Sequence, residues 1–190
     1  TGIVGYNVQT AVETKHHLIV THEVTNVGSD RAQLLKMAEA AREALGTEKL
    51  TAIADRGYYS SEQIKGCEDA GIAPVVPKPI TSNSAADGRY EKWDFTYLPK
   101  RDAYRCPAGE YAIRRFASQE HGLTYYKYWS SACPRCALRS KCTTGDYRRL
   151  TRWEHETVLE RMQARLERDP TLMITRRRTV EHTFGTIKAW

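Results

Sequence analysis

The chain has 190 residues, of which 41% are hydrophobic, and its mean hydropathy is −0.61. This composition is sufficient for the core of one domain, with or without an insertion, and the lack of a long apolar run excludes a transmembrane helix. The formal net charge of +6, from 29 Lys and Arg against 23 Asp and Glu, favours a polyanionic partner.

The first half of the chain begins with two segments that alternate with the period of β-strands. Residues 5–13 and 18–25 are rich in β-branched side chains and predict an antiparallel hairpin. Turn residues follow, and Ser29 or Asp30 is expected to cap a helix. Apolar residues at helical spacing then continue as far as Gly46, where the helix is predicted to end.

A strand–helix–strand pattern comes next. Residues 50–54 are a short apolar run that predicts a strand buried on both faces. Ser60 and Gln63 have the spacing of a capping box for a second helix, which is expected to end at Gly71. Residues 72–76 predict another buried strand. The order of elements indicates an α/β fold with a mixed sheet and flanking helices.

The character of the sequence changes after this strand, and we divide the chain accordingly. Residues 1–80 are predicted to form the core up to its last strand, and residues 81–150, which are polar and then aromatic, an insertion. Residues 151–190 are expected to complete the core with helices. The first of these covers residues 153–168, and Asp169-Pro170 breaks it before the last helix.

The insertion contains four of the five cysteines. Their pattern suits a tetrahedral structural Zn²⁺ site, with ligands Cys106, Cys133, Cys136 and Cys142. The absence of a secretory pattern favours a cytoplasmic, reducing setting. In that setting, cysteines are more often metal ligands than members of disulfides. The alternative is that some of them are buried free thiols, as we expect for Cys67, whose position predicts only core packing.

Basic residues cluster around these cysteines and near the end of the chain. We expect seven of them to contact nucleic acid: Arg135, Arg139, Lys141, Arg148, Arg149, Arg176 and Arg178. Tyr125, Tyr126 and Trp129 lie close by in sequence and would add stacking surfaces. The alternative is that the basic residues form only the solvated rim of a small zinc knot.

Two acidic residues are candidates for catalysis. Asp55 follows an apolar strand at a glycine-containing turn, and the carboxyl ends of strands in α/β sheets are where ligands collect. On an α-helix, Arg177, Glu181 and Lys188 return to one face, an arrangement that suits a metal ion and a phosphate. The alternatives are that Asp55 only caps its turn and that the helix is a solvated one with an i,i+4 ion pair.

These residues resemble the motifs of bacterial insertion-sequence DDE transposases. Residues 54–58 (Ala-Asp-Arg-Gly-Tyr) resemble the segment that carries the second acidic residue of that family. Arg177, Glu181 and Lys188 match the Tyr-(2)-Arg-(3)-Glu-(6)-Lys signature of one group, with Ile174 where the signature has tyrosine. Residues 5–12 and 22–26, in the predicted hairpin, are also similar to segments of that family. The resemblance therefore extends over essentially the whole chain.

The resemblance implies an RNase H-like fold with an insertion before the last catalytic helix. It implies Mg²⁺ or Mn²⁺ bound by Asp55 and Glu181, while Arg177 and Lys188 contact DNA phosphate or position the glutamate. Transposon ends and target DNA are the expected partners, in the cytoplasm at the nucleoid and without a membrane, and the family allows a homodimer in the transposition complex.

The first aspartate of the family belongs on a strand before residue 5. We therefore expect a fragment, truncated at its N-terminus, that holds two of three catalytic carboxylates and is inactive alone. Glu13 and Asp30 are the nearest acids, and their predicted places, at a strand end and in a helix cap, make them poor substitutes. Two alternative functions stay open: a non-catalytic, zinc-containing nucleic-acid-binding module, and an inactive transposase remnant with an open sheet edge.

Overall fold

The computed structural model of the chain describes residues 5–79, 84, 86–181, 183 and 185. It contains two compact units. The α/β unit comprises residues 1–79 and 157–190, and the β unit comprises residues 80–156. Within the described ranges, no helix has both the length and the apolar character needed to cross a bilayer.

The α/β unit contains four short strands and the helices that pack on them. Its elements in chain order are β1 (Asn7–Val12), β2 (Ile19–Thr25), α1 (Leu34–Leu45), β3 (Leu50–Ile53), α2 (Ser61–Asp69), β4 (Ile72–Val75), α3 (Glu156–Arg168) and α4 (Thr171–Arg176). The predicted antiparallel hairpin is confirmed as β1 and β2. The predicted end of α1 is confirmed too, because Gly46 adopts the left-handed conformation there (φ 58°).

Two details of the helix ends differ from the prediction. Ser29 does not cap α1 itself: its hydroxyl accepts a hydrogen bond from the Arg31 backbone N–H, at the start of a 3₁₀ turn that precedes the helix. The capping box at Ser60 is not formed. Instead, the Gln63 side-chain oxygen accepts from the Leu35 backbone N–H at 3.0 Å, which ties α2 to the first turn of α1.

The predicted single mixed sheet is wrong for the described part of the unit. β1 and β2 form one antiparallel pair, and β3 and β4 form a separate parallel pair. A groove of about 790 Å³ is lined by β1, β3 and α1, and it leaves one edge of each strand without a partner. For the same reason β3 is not buried on both faces: Thr51 is exposed and its neighbours are half-buried.

The core of the α/β unit is formed where α1, α2, α3 and the β4 segment pack together. It consists of eight buried side chains from three helices and the β4 segment: Leu34, Ala38, Ile64, Cys67, Ile72, Val76, Val158 and Met162. Cys67 is thus a packing residue, as predicted, and burial raises the pKa of its thiol to about 12, with Glu39 and Glu68 adding to the shift. Arg165 fixes α3 on this core by donating to the Pro74 carbonyl at 3.1 Å.

The last described helix changes its period. After α4 the chain continues as a π turn over Arg177–Glu181 instead of an α-helix. The Thr179 and Thr183 hydroxyls donate to the carbonyls four residues before them, at 2.8 and 3.1 Å, and such bonds are common where a helix bends. In a π turn the backbone hydrogen bonds join residues five apart instead of four apart, so the α-helical spacing of side chains does not continue through it.

The β unit is a five-stranded antiparallel sheet in sequence order. Its strands are β5 (Thr96–Leu98), β6 (Ala103–Arg105), β7 (Tyr111–Glu120), β8 (Leu123–Trp129) and β9 (Leu150–Trp153). Because Trp153 ends β9, α3 begins at Glu156, three residues later than predicted. One face of the sheet is buried in a small core of Phe95, Tyr104, Ala112, Tyr128 and Leu150.

Asp102 organises the polar end of that core. It lies in the left-handed conformation (φ 44°), and its Oδ1 accepts hydrogen bonds from Tyr128 at 2.6 Å and Tyr97 at 2.9 Å. Burial alone would raise the pKa of Asp102, but the bonds from Tyr128 and Tyr97, with a weaker one from Arg114, hold it below its ordinary value. Tyr128 is fully buried and has no solvent to replace this acceptor.

We therefore expect Asp102→Ala to lower the free energy of unfolding by about 2 kcal/mol, since it removes the carboxylate that accepts hydrogen bonds from Tyr128 and Tyr97. Asp102→Asn keeps an acceptor and tolerates the left-handed backbone, so it should cost about half as much or less. The pKa of Asp102 is lower in the folded state than in the unfolded state. The Asp102 carboxylate therefore contributes its full stabilisation of the folded state above about pH 4, and this contribution is lost as the pH falls through the folded-state pKa.

Urea unfolding of the three proteins at neutral and acid pH measures both effects. The asparagine variant should lose less stability on acidification than the wild type. Equal unfolding midpoints for the alanine and asparagine variants at neutral pH would contradict this assignment of Asp102.

Candidate functional site

Asp55 lies where β3 ends, and both of its carboxylate oxygens are engaged. Oδ1 accepts from the Gly57 backbone N–H at 2.8 Å and so caps the 3₁₀ turn Arg56–Tyr58. Oδ2 accepts from Arg176 at 3.1 Å. The capping interpretation of Asp55 is therefore correct, but it is incomplete, because the cap fixes the rotamer while the side chain stays 44% exposed.

Arg176 joins this carboxylate to the second predicted one. Its Nη1 lies 3.4 Å from Glu181 Oε1, while Nη2 contacts Asp55, so one guanidinium spans residues that are far apart in sequence. The predicted pair of Arg177 and Glu181 is not formed, and Arg177 is exposed. Glu181 lies at the end of the π turn and contacts the residue five positions before it, which is the last residue of α4.

The other residues of the predicted signature contribute less to the described site. Lys188 lies outside the residues that the structure describes, and Arg178 is exposed. Ile174, at the tyrosine position of the signature, is also exposed. Arg176, predicted only as a DNA contact, is thus the basic residue that the structure brings to Asp55 and Glu181.

A polar network beside Asp55 was not predicted. Gln9 of β1 is only 2% exposed, and its Nε2 donates to Asp30 Oδ1 at 2.7 Å. Asn7 donates to the same oxygen at 2.7 Å, and the Tyr58 hydroxyl donates to Gln9 Oε1. The signal in the sequence was the pair Asn7 and Gln9 on one side of a strand, which shows that this side is not an ordinary apolar face.

The same network keeps Tyr58 in its neutral form. Burial, together with the charges of Asp30 and Asp55, raises the pKa of Tyr58 to about 12, and Arg176 partly opposes this shift. At neutral pH the Tyr58 hydroxyl is therefore a hydrogen-bond donor and not a base. Its place in the turn after Asp55 makes it a support for that turn.

Gly57 is the point of closest approach in the site. A Cβ atom added there would lie 3.0 Å from Asp55 Oδ1 and 3.6 Å from Asp30 Oδ2. Both carboxylates therefore border this glycine, and a methyl group would displace Asp55. We expect Gly57→Ala to lower the cleavage activity that the sequence predicts by about a hundred-fold, while the free energy of unfolding changes by less than about 1 kcal/mol.

Gly28→Ala is the matched control for this prediction, because a Cβ atom at Gly28 meets nothing within 4 Å. Activity is compared by initial rates and stability by urea unfolding. If Gly57→Ala were as active as Gly28→Ala, the carboxylate of Asp55 would not need its present position.

The candidate site opens into the groove of the α/β unit. Asp55, Tyr58, Arg176 and Glu181 line it together with β1 and β3. Buried apolar side chains of α1 line it as well: Leu34, Met37, Ala38 and Ala41. Thr10 of β1 also lines the groove, and its hydroxyl is buried without a partner in the described structure.

The four cysteines of the β unit come together. Cys106, Cys133, Cys136 and Cys142 all line one small cavity of about 30 Å³. Two tight turns present them: the Cys136 backbone N–H donates to the Cys133 carbonyl at 3.1 Å, and the Gly109 N–H to the Cys106 carbonyl at 2.8 Å. Burial raises the pKa of the Cys142 thiol, and the neighbouring Cys106 and Cys136 add to the shift.

Neither predicted metal site is complete in this structure. As the side chains stand in residues 5–79, 84, 86–181, 183 and 185, no three His, Cys, Asp or Glu residues form a group that could hold a metal ion. The donor types nevertheless fit two different metals. Carboxylate oxygens suit Mg²⁺, and thiolates suit Zn²⁺.

The predicted nucleic-acid contacts divide into two kinds. Arg135, Arg139, Lys141 and Arg149 are exposed, although Arg139 has Asp146 at 3.9 Å. Arg148 is half-buried, lies over the Phe95 ring at 5.6 Å and donates to the Cys142 carbonyl at 3.3 Å. These contacts within the unit indicate that Arg148 supports the cysteine loop.

A comparison with protein families gives one match that covers the chain. The sequence model of the family described as the transposase DDE domain matches residues 1–190. Comparisons with curated proteins and with solved structures give no match.

Proposed function

Since the chain belongs to the transposase DDE domain family, whose members are polynucleotidyl transferases that bind DNA and generally use divalent metal ions such as Mg²⁺, we propose that Asp55 and Glu181 are two carboxylates of its catalytic site. The reaction is phosphodiester hydrolysis followed by strand transfer in the transposition of an insertion sequence. The α/β unit, as an RNase H-like core, is the catalytic part, and the β unit is its insertion.

The observation that carries this proposal is the Arg176 bridge. Residues 55 and 181 are the two acids that the family motifs single out, and one guanidinium contacts both. Both carboxylates are partly open to solvent, with Glu181 57% exposed, so a cation has access to them. Their hard oxygen atoms fit Mg²⁺. Arg176 holds two like charges near each other, which would otherwise repel.

When bound, Mg²⁺ in such a site activates the attacking oxygen and stabilises the leaving oxygen of the phosphodiester. The residues of the chain do the rest. The Gly57 N–H fixes the Asp55 rotamer, and Asp55 and Glu181 would hold the metal. Arg176 has a planar, permanently charged guanidinium group that pairs well with phosphate oxygens. We therefore propose that Arg176 contacts the scissile phosphate. Lys188 and Arg177, from the family signature, would contact flanking phosphates.

We propose that a further strand occupies the groove and supplies the third carboxylate. Among the described residues, the groove has two strand edges without a partner, which expose backbone N–H and C=O groups, and the apolar face of α1 lines it. The unpartnered Thr10 hydroxyl is a further polar group that a new strand would satisfy. Asp30 is a poor third ligand, since its Oδ1 already accepts from Asn7 and Gln9.

For the cysteines we propose a structural Zn²⁺ site formed by Cys106, Cys133, Cys136 and Cys142. It is supported by their shared cavity, which is about the size of one water molecule. The metal would fix a loop region that has little other secondary structure.

A non-catalytic DNA-binding role is the second candidate, and the distribution of charge favours it. Residues 80–156 hold 14 Lys and Arg against nine Asp and Glu, so five of the six net positive charges belong to the β unit. Arg135, Arg139, Lys141 and Arg149 would contact phosphates in either role, and Arg178 would do so on the catalytic side.

One experiment distinguishes the two candidate functions. The chain is expressed from its complete coding sequence and is incubated with labelled DNA that carries the ends of an element of this family. The catalytic proposal requires a nick with a 3′-hydroxyl group that appears only with Mg²⁺ or Mn²⁺. Binding without any nick, in a well-folded protein, would favour the second candidate.

A further inference from the structure

The sheet of the β unit has a second face, opposite its core, on which aromatic and basic side chains surround Trp129. The Phe116 and Tyr147 rings lie 5.9 and 6.4 Å from the Trp129 ring. The guanidinium groups of Arg115 and Arg149 lie 5.5 and 5.8 Å from it. We name these five residues the Trp129 patch.

The register of the sheet explains why the patch is exposed. Arg114 lies opposite Tyr128, and Ile113 lies opposite Trp129. Successive side chains alternate between faces, so Tyr128 enters the core while Trp129 points the other way. Phe116 is 51% exposed and Tyr147 is 37% exposed. Ile113 is exposed as well, so the patch continues along β7.

The Trp129 patch combines arginines with aromatic rings. In the described structure neither Arg115 nor Arg149 forms an ion pair, although ion pairs are frequent elsewhere in the chain. Arg115 instead donates to the Trp129 carbonyl at 3.3 Å, which holds its guanidinium beside the ring. Exposed apolar side chains with unneutralised positive charge mark a binding surface for an anionic partner that also has flat apolar groups.

We propose that the Trp129 patch binds unpaired bases of single-stranded DNA. Bases have flat apolar faces and stack on Phe, Tyr and Trp, while arginines contact the phosphates between them. In an intact duplex the faces of each base are covered by the neighbouring base pairs, so the aromatic side chains of the patch could not stack on them. The patch therefore distinguishes unpaired from paired DNA. The inference rests on the proposed function only in taking DNA as the nucleic acid.

The test is fluorescence anisotropy with a labelled oligothymidine of about 12 nucleotides and a labelled duplex of the same length, without added Mg²⁺. The full chain should bind the oligothymidine more tightly than the duplex. Phe116→Ala should weaken oligothymidine binding about five-fold or more and leave duplex binding nearly unchanged. Arg115→Gln with Arg149→Gln should weaken both and reduce the salt dependence.

Trp93→Ala is the matched control, because Trp93 is 74% exposed in the same unit but is not part of the patch. Near-UV circular dichroism checks that each variant is folded. The inference is overturned if Phe116→Ala binds oligothymidine like Trp93→Ala, or if the duplex competes equally well with oligothymidine. The latter result would leave the patch as a duplex or protein contact.

Failure of this inference is distinguishable from failure of the proposed function. Asp55→Ala should bind oligothymidine like the wild type, because binding at the patch needs no metal at Asp55. Oligothymidine binding without Mg²⁺-dependent cleavage would count against the catalytic proposal alone. Cleavage that survives in Phe116→Ala, with oligothymidine affinity also unchanged, would count against the patch alone.

Discussion

We expect Asp55→Ala and Glu181→Ala each to lower Mg²⁺-dependent strand cleavage by about a thousand-fold or more. The physical reason is that removing a carboxylate ligand takes away charge stabilisation of several kcal/mol in the transition state. In each variant Arg176 also keeps only one of its two acidic partners, so its position changes. Initial rates on labelled terminal DNA measure the effect.

The combination of the two substitutions is more informative than either one. If Asp55 and Glu181 serve one metal site, the double variant should be scarcely less active than the single variants, because residues that act as a unit have non-additive effects. Additive losses would indicate two independent roles.

Asp69→Asn is the control for loss of an acidic residue in the same unit. Asp69 is an exposed residue at the end of α2, and its ion-pair partner among the described residues is Lys65. This variant should cleave like the wild type, and all the proteins should unfold at similar urea concentrations. Full activity of Asp55→Ala in a folded protein would exclude Asp55 as a metal ligand.

If zinc is bound as proposed, we expect Cys136→Ser to remove it and to destabilise the β unit. A Zn²⁺ ion held by four thiolates contributes on the order of 10 kcal/mol of binding free energy to the folded state of a small site. Three remaining ligands hold it far less well. We expect the wild type to contain about one zinc per chain by elemental analysis. The serine variant should have little zinc and a clearly lower thermal midpoint.

Cys67→Ala separates metal binding from cysteine packing. Cys67 is fully buried in the α/β core and does not line the cysteine cavity. Its alanine variant should lose some stability through a small cavity, but it should keep its zinc. The zinc assignment fails if the purified wild type contains no zinc after zinc-supplemented growth, or if Cys136→Ser retains as much as Cys67→Ala.

The sequence was most informative where local chemistry decides the structure. The hairpin, the end of α1 at Gly46 and the place of Asp55 after a strand were all predicted correctly, because each depends on side-chain alternation or on a few adjacent residues. The burial of Cys67 was predicted from helical periodicity in the same way.

What the sequence did not predict depends on contacts between distant segments. Arg176, and not Arg177, contacts Glu181, because a π turn replaces the α-helical repeat on which the prediction relied. The hydrogen bonds from Gln9 to Asp30 and from Tyr58 to Gln9 join three separate segments, and no local pattern encodes them. The separation of β1 from β3 by the groove is likewise a tertiary feature.

The most direct test of the central claim is a Mn²⁺ titration, followed by electron paramagnetic resonance of the free ion, on the same protein that is used for cleavage. The account predicts that Asp55→Asn and Glu181→Gln each weaken Mn²⁺ binding at least about ten-fold, while Asp69→Asn binds like the wild type. If the three variants and the wild type gave the same titration curve, Asp55 and Glu181 would not share a metal ion, and the proposed catalytic site would be wrong.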